Sequence, residues 1–155
     1  METIGRVMVR HLTAVQSDVA QFYTPQNSDE TMLVQLAPQS EGELFVHHFQ
    51  TDQLLVVRGS CVLVVLQNRQ YHYIPMAEHQ PMVVTIPPNV PHAAINYSDH
   101  PCWMVNAVLR HGEAHNSDYR PRRRPFAFDH KCAQQVLENC YNWEQKERSL
   151  GYLIA

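Results

Sequence analysis

The sequence predicts an all-β domain, a sandwich or barrel of antiparallel strands with one helix appended at its C-terminal end. Three observations predict it. Short β-type runs recur between Thr31 and Leu109 at a spacing near ten residues. Proline outnumbers glycine ten to five and only 17% of residues are charged, which suits short strands and stiff turns better than long surface helices. Beyond residue 128 the apolar period becomes helical. The chain has 155 residues, enough for one domain (1–155) with one sizeable core, and 45% are hydrophobic, which argues against disorder.

Residues 1–30 read as a lead-in, in which Val7, Val9 and Leu12 suggest an edge strand ahead of the polar stretch Thr24–Glu30. The barrel is expected over 31–110. Its strands are Thr31–Leu36, Leu44–Phe49, Leu54–Val57, Cys61–Leu66, Tyr71–Ile74, Val83–Ile86, His92–Tyr97 and Cys102–Leu109. Pro38–Gly42, Gly59-Ser60 and Pro87-Pro88-Asn89 punctuate them, and Gln67-Asn68-Arg69-Gln70 reads as a hairpin turn. Residues 111–128 are polar and proline-broken, hence a loop. Within 129–150, Asp129 caps a helix across Lys131–Arg148. Its stripe of Ala133, Val136, Leu137, Cys140, Tyr141 and Trp143 packs on the outside of the barrel or on a partner subunit.

Charge and texture exclude several function classes. Twelve Lys+Arg against fifteen Asp+Glu give a net charge of -3, so nothing draws the chain as a whole toward nucleic acid or anionic lipid. The longest apolar runs, Leu54–Val57 and Cys61–Leu66, are too short to span a bilayer. Met1–Val15 holds Arg6, Arg10 and His11 and has no apolar signal region. Cys61, Cys102, Cys132 and Cys140 lack paired spacing, which reads as four reduced thiols in a cytoplasmic protein.

Strand alternation sorts the candidate residues. If Leu44–Phe49 is a strand, Leu44, Val46, His48 and Gln50 face inward, while Phe45, His47 and Phe49 face the other side. His47 then belongs to packing or to a subunit interface. His92, Ala94 and Asn96 share one face of a later strand.

Pro87, His92 and Asn96 stand at the spacing of the second cupin motif (Pro-x-Gly, two residues, His, three residues, Asn), with Asn89 in the glycine place. Asn is the best substitute there because it tolerates left-handed backbone. The first cupin motif is matched in part: counted from Gly42 it places His48 and Gln50 at the two histidines, and counted back from Gly59 it places Asp52 at the glutamate and His48 at the second histidine. Over Thr31–Arg110 the chain thus resembles the cupins, which implies a double-stranded β-helix, the cupin jelly roll. Within that superfamily, His48-Phe49-Gln50, Arg58-Gly59, Ile86-Pro87-Pro88-Asn89 and Pro91-His92 resemble the dTDP-4-keto-6-deoxyhexose 3,5-epimerases. The chain departs from them at Gln53 or Leu54, where they carry Lys, and across Cys102–Val108, where they carry a Tyr acid.

The resemblance implies a small-molecule cupin, an epimerase or isomerase acting on a sugar or sugar nucleotide. His48 is then the base and His92 an orienting group, with Gln50, Asn96, Tyr73 and Arg58 binding substrate. Such chemistry needs a base that removes a carbon-bound proton and an acid that returns one, and imidazole titrates in the right range. Two alternatives stand beside it. One is a metal-dependent cupin, a dioxygenase or isomerase holding one divalent ion on His48, Asp52 and His92. The other is a non-catalytic cupin that binds a small ligand, such as a carbohydrate, without any cofactor. Exposed sheet edges suit a homodimer.

Other residues are read more plainly. His72, His79, His100, His111, His115 and His130 sit on turns, loops or outward positions and read as solvated. Tyr71, Tyr73 and Tyr97 read as core or interface, with Tyr73 and Tyr97 the phenols available if an acid is required. Arg120, Arg122, Arg123 and Arg124 form a basic cluster beside Tyr119, either a solvated loop or a clamp for a substrate phosphate.

Overall fold

Cys61–Leu66 is an unbroken apolar run, and the fold buries it on both faces. The computed structural model describes residues 1–23 and 26–151, with side chains described through Asn142. The strands are β1 (Glu2–Ile4), β2 (Val7–His11), β3 (Ala14–Gln16), β4 (Gln21–Tyr23), β5 (Glu30–Leu36), β6 (Ser40–Glu41), β7 (Gln50–Arg58), β8 (Ser60–Gln67), β9 (Gln70–Ala77), β10 (Met82–Ile86), β11 (His92–Asn96) and β12 (Cys102–Arg110). A six-stranded sheet runs β1-β2-β10-β7-β12-β5, a four-stranded sheet runs β6-β11-β8-β9, and β3 pairs only with β4. All pairings are antiparallel.

Cys61, Leu63 and Val65 point from β8 into the space between the two large sheets, where they join Val7, Val9, Leu54, Val56, Ile86 and Met104. Val62 and Val64 point the other way, into a second core with Tyr71, Ala93, Ile95, Phe128 and Ala133. That second core lies under helix α1 (His130–Gly151), which packs on β9 and β8. A strand covered on both faces has no need to alternate. The all-β architecture with a C-terminal helix is the one expected.

Several local expectations also hold for stated reasons. Asp129 accepts from Cys132 N–H at 3.0 Å and so caps α1. Ala133, Val136, Leu137 and Cys140 turn toward the sheet or its margin, whereas Tyr141 is exposed; the side chain of Trp143 lies outside the described residues. Asn68 and Arg69 take positive φ (51° and 62°) in the β8–β9 hairpin, as a two-residue turn requires. Asn89 sits at φ 65°, the left-handed angle for which glycine is the usual residue.

Two expectations fail. Val7 and Val9 do lie on a strand, but β2 is second from the sheet edge, with β1 outside it and β10 inside. And Leu44–Phe49 does not form a strand. Only Leu44 and Phe45 make isolated bridges, to Arg122 and His92, and regular pairing resumes at Gln50.

Asn96, expected among the substrate-binding groups, is a clamp in the fold. Its side chain is buried, donates to the carbonyls of Ala37 (3.0 Å) and His100 (2.8 Å), and accepts from Ser98 N–H (3.0 Å) and Ser98 Oγ (2.8 Å). Those bonds join the β5–β6 and β11–β12 connections. Asn96→Ala leaves several buried polar groups without partners. It is expected to lower stability by about 2–3 kcal/mol, read as a shifted urea midpoint at an unchanged slope.

Candidate functional site

The irregular segment after Phe45 builds the site. Phe45 and His92 exchange backbone hydrogen bonds (2.9 and 3.0 Å), which ties the segment to the start of β11. Gly42 donates to the Ala94 carbonyl, and a Cβ at Gly42 would stand 2.8 Å from that oxygen, so the approach requires glycine. Past Phe45 the ladder ends, and the His47 carbonyl instead accepts from Asn89 N–H at 2.8 Å. Strand alternation no longer governs the next residues. His47 turns into the space between the sheets, and His48 turns toward the loop after β12.

The expected convergence of His48 with His92 and Asp52 therefore does not occur; His47 takes that place. His47 Nε2 lies 3.5 Å and His92 Nε2 3.3 Å from the same oxygen, Asp52 Oδ2. Asp52 is 3% exposed, against 15% for His47 and 13% for His92. The other carboxylate oxygen, Oδ1, accepts from Gln50 Nε2 (2.6 Å) and Asn106 Nδ2 (2.9 Å). Gln50, Asp52 and Leu54 alternate on β7 toward the interior, opposite Asn106 of β12, so register alone brings the carboxylate and its donors together. The Arg110 guanidinium donates to Gln50 Oε1 and to Glu30 Oε1. With its oxygen taken, the Gln50 amide must present its NH₂ to Asp52.

These groups close one end of a cavity of about 370 Å³ between the sheets. Met32, Val34, Leu36, Leu63 and Met104 form an apolar wall, and Asp118 and Tyr119 lie at its margin on the 3-10 turn Asn116–Tyr119. Burial holds His47 below the ordinary imidazole pKa, offset in part by Asp52 and reinforced by His92. His92 Nδ1 faces the Val90 carbonyl at 3.0 Å, which orients its ring. His47 Nδ1 is buried without a hydrogen-bond partner among the described residues.

The three ligand atoms on His47, Asp52 and His92 lie within 4.8 Å of one another. The edge of a tetrahedron of metal–ligand bonds near 2.05 Å is about 3.3 Å, which the two carboxylate–imidazole separations match. Two imidazoles and a carboxylate beside an open cavity are a fitting donor set for a divalent ion.

A second group lies beside the first. His48 Nδ1 bonds Asp118 Oδ1, and His48 N–H also donates to it at 3.3 Å. His115 stands with its ring 5.7 Å from that of His48, and its N–H donates to Asp118 Oδ2 at 3.2 Å. Burial alone would raise the Asp118 pKa, but the bonds from His48 and His115 outweigh it and hold the carboxyl below its usual value.

No family model and no curated protein matches the sequence. Solved structures do. WlaRB, a TDP-quinovose 3,4-ketoisomerase from Campylobacter jejuni, superposes with TM-score 0.65 at 14% identity over 77% of this chain and 95% of that one. A point mutant of QdtA, a 3,4-ketoisomerase from Thermoanaerobacterium thermosaccharolyticum, in complex with TDP-4-keto-6-deoxyglucose, gives 0.61 at 10% identity over 75% and 87%. NovW, a 4-keto-6-deoxy sugar epimerase from the novobiocin biosynthetic gene cluster of Streptomyces spheroides, gives 0.60 at 13% over 73% and 68%.

The fold is that of a cupin. Within this fold, Gln50, Asp52 and His92 line the cavity, whereas His48, Asn96, Tyr73 and Arg58 are not among its lining residues. Tyr73 accepts from Asp129 N–H beneath the helix, and Arg58 is exposed at the end of β7. Sequence reasoning missed His47, Asn106 and Tyr119. His47 was hidden by assuming a strand. Asn106 carried a readable signal, an inward polar position on an otherwise apolar strand. Tyr119 lies nine residues beyond the end of β12, where alternation says nothing. Several histidines read as solvated have partners: His111 bonds Thr51 Oγ1 (2.7 Å), and His130 pairs with Glu41 (2.8 Å) and Tyr97 (2.7 Å).

The lowered pKa of His47 makes stability depend on pH. The unfolded chain takes up a proton at His47 near pH 6.5, whereas the folded chain resists it until lower pH. His47 therefore makes stability fall as pH drops through about 6.5, until the folded pKa is reached. Urea unfolding between pH 5 and 8 is expected to show that slope, reduced in His47→Gln. The Asp118 contribution is lost only further down, below the ordinary carboxylate range.

Proposed function

We propose that this cupin moves protons on carbons adjacent to the ketone of a sugar nucleotide, as an isomerase or epimerase, with His47 as the base. The observation that carries the reading is the pairing of two imidazoles on one buried carboxylate at the end of a cavity sized for a small molecule. At about 370 Å³ the cavity falls within the range of small-molecule binding sites. The comparison proteins WlaRB, QdtA and NovW, named as ketoisomerases and an epimerase, add support from the fold.

The electrostatics suit a base. A neutral His47 with Nε2–H toward Asp52 leaves Nδ1 bare, the buried nitrogen without a partner. Burial keeps the imidazole neutral before the reaction. Once the His47 ring takes the carbon-bound proton, the imidazolium stands beside the Asp52 carboxylate, which stabilises it. The electron pair left on carbon moves to the carbonyl oxygen and gives an enediolate. Transfer of the hydroxyl proton between the two enediolate oxygens, together with return of the proton from His47 to the former carbonyl carbon, moves the ketone by one position. Delivery from Tyr119 to the opposite face of the original carbon would invert it instead. Tyr119 lies at the cavity margin, near the Arg110 guanidinium.

A second reading rests on the same triad. A divalent ion held by His47, Asp52 and His92 would polarise a substrate carbonyl. Metal analysis of untagged protein purified without chelator decides it: below about a tenth of an equivalent, three converging ligands are not serving a resident metal.

The principal reading is tested with TDP-4-keto-6-deoxyglucose in D₂O. Deuterium is expected to enter the carbon next to the ketone, and His47→Ala should slow the exchange by roughly 10²–10⁴-fold. Exchange lost in His48→Ala but intact in His47→Ala would move the base to His48. With the ligand bound and no exchange, the isomerase reading fails and a ligand-binding cupin remains.

A further inference from the structure

The arginines of the loop after β12 are not equivalent. Arg124 is occupied: it pairs with Glu41 and stacks over the Phe128 ring with its guanidinium carbon 4.3 Å from the centroid. Arg122 has no carboxylate partner among the described residues. Its backbone is pinned beside the cavity, because Arg122 N–H donates to the Leu44 carbonyl at 2.7 Å and Leu44 lies between Glu43 and Phe45, both of which line it. Its side-chain Nη2 lies 3.5 Å from His48 Nε2.

His48 and His115 complete a basic lip. The His48 Nδ1–H donates to Asp118, so its Nε2 accepts from Arg122. His115 Nδ1 accepts from Ser117 N–H at 3.2 Å, which leaves Nε2–H as the free donor of an exposed ring. Asp118, the carboxylate among them, is saturated: Oδ1 takes the His48 ring and N–H, and Oδ2 takes His115 N–H. Free N–H donors of Arg122 and His115 therefore remain at this edge. Asp118, which bonds His48 and His115, lines the cavity, so this edge adjoins it.

We propose that Arg122, supported by His48 and His115, forms an anion subsite at the cavity mouth that holds the phosphoryl groups of the ligand. The guanidinium supplies a planar fork of N–H donors matched to phosphate oxygens. That these phosphoryl groups belong to a sugar nucleotide rests on the reading above; the anion site itself does not. The same three side chains His48, His115 and Asp118 have ligand atoms within 4.8 Å, so a cation is the competing occupant. The guanidinium 3.5 Å from His48 Nε2 favours the anion.

Calorimetric titration of the full chain with inorganic pyrophosphate, and separately with TDP, tests the site. Wild type is expected to bind both. Arg122→Ala should weaken each by roughly 10- to 100-fold, with Arg122→Lys intermediate, and His115→Gln should weaken them less. Arg10→Gln, which removes the same charge from the outward face of β2, should stay within about twofold. Equal pyrophosphate affinity in wild type and Arg122→Ala overturns the proposal. So does zinc binding abolished by Asp118→Asn in a protein that does not bind pyrophosphate. Arg122-dependent pyrophosphate binding without any proton exchange keeps the anion site and removes the sugar reading. Exchange with the same KM for the sugar nucleotide in Arg122→Ala does the reverse.

Discussion

A single carboxylate organises the interior end of the cavity. Asp52 is almost fully buried, and an ionised group in that position is tolerated only where its oxygens are hydrogen-bonded or paired. Gln50 and Asn106 satisfy one oxygen, and two imidazoles stand against the other. The arrangement propagates outward in a chain. Glu30 holds Arg110, Arg110 holds the oxygen of Gln50, and the Gln50 amide can then only donate to Asp52. The first two links join neighbouring strands of the large sheet, β5 to β12 to β7, so the register of that sheet and the chemistry of the site are one constraint.

That constraint explains which parts of the molecule could be read from sequence. The strands β5, β7, β8, β10, β11 and β12 announce themselves by β-branched and apolar runs between turn residues, and their inward positions follow from alternation. Asp52, Gln50 and His92 lie on such strands, at positions that line the cavity. Asn89 was legible for a different reason, since one backbone angle demands glycine or its nearest substitute.

The segment 44–49 was not legible because its composition imitates a strand. Leu44, Phe45, Val46 and Phe49 have strand propensity, yet the backbone is diverted. The close approach of Gly42 to Ala94 and the bridge from Phe45 to His92 pull it toward the small sheet, and Asn89 then captures the His47 carbonyl. No pattern of period two records those long-range bonds. The consequence falls on the adjacent histidines. A reading by parity exchanges their faces, because a one-residue error in a period of two inverts every assignment.

The diversion also gives the two histidines different electrostatic surroundings. His47 is enclosed, close to a second imidazole, and held neutral by desolvation that its carboxylate neighbour only partly offsets. His48 is 30% exposed, bonded to its own buried carboxylate and faced by a guanidinium. With Arg122 as the anion subsite, the cavity would run from a buried carboxylate at its inner end to a guanidinium at its margin. Such a gradient favours one orientation of an amphoteric guest: an anionic group outward, where water and arginine stabilise it, and a neutral polar ring inward, where the imidazoles lie. Reversing the guest would bring its anion toward Asp52 in a region of low dielectric, which costs more than leaving it at the margin.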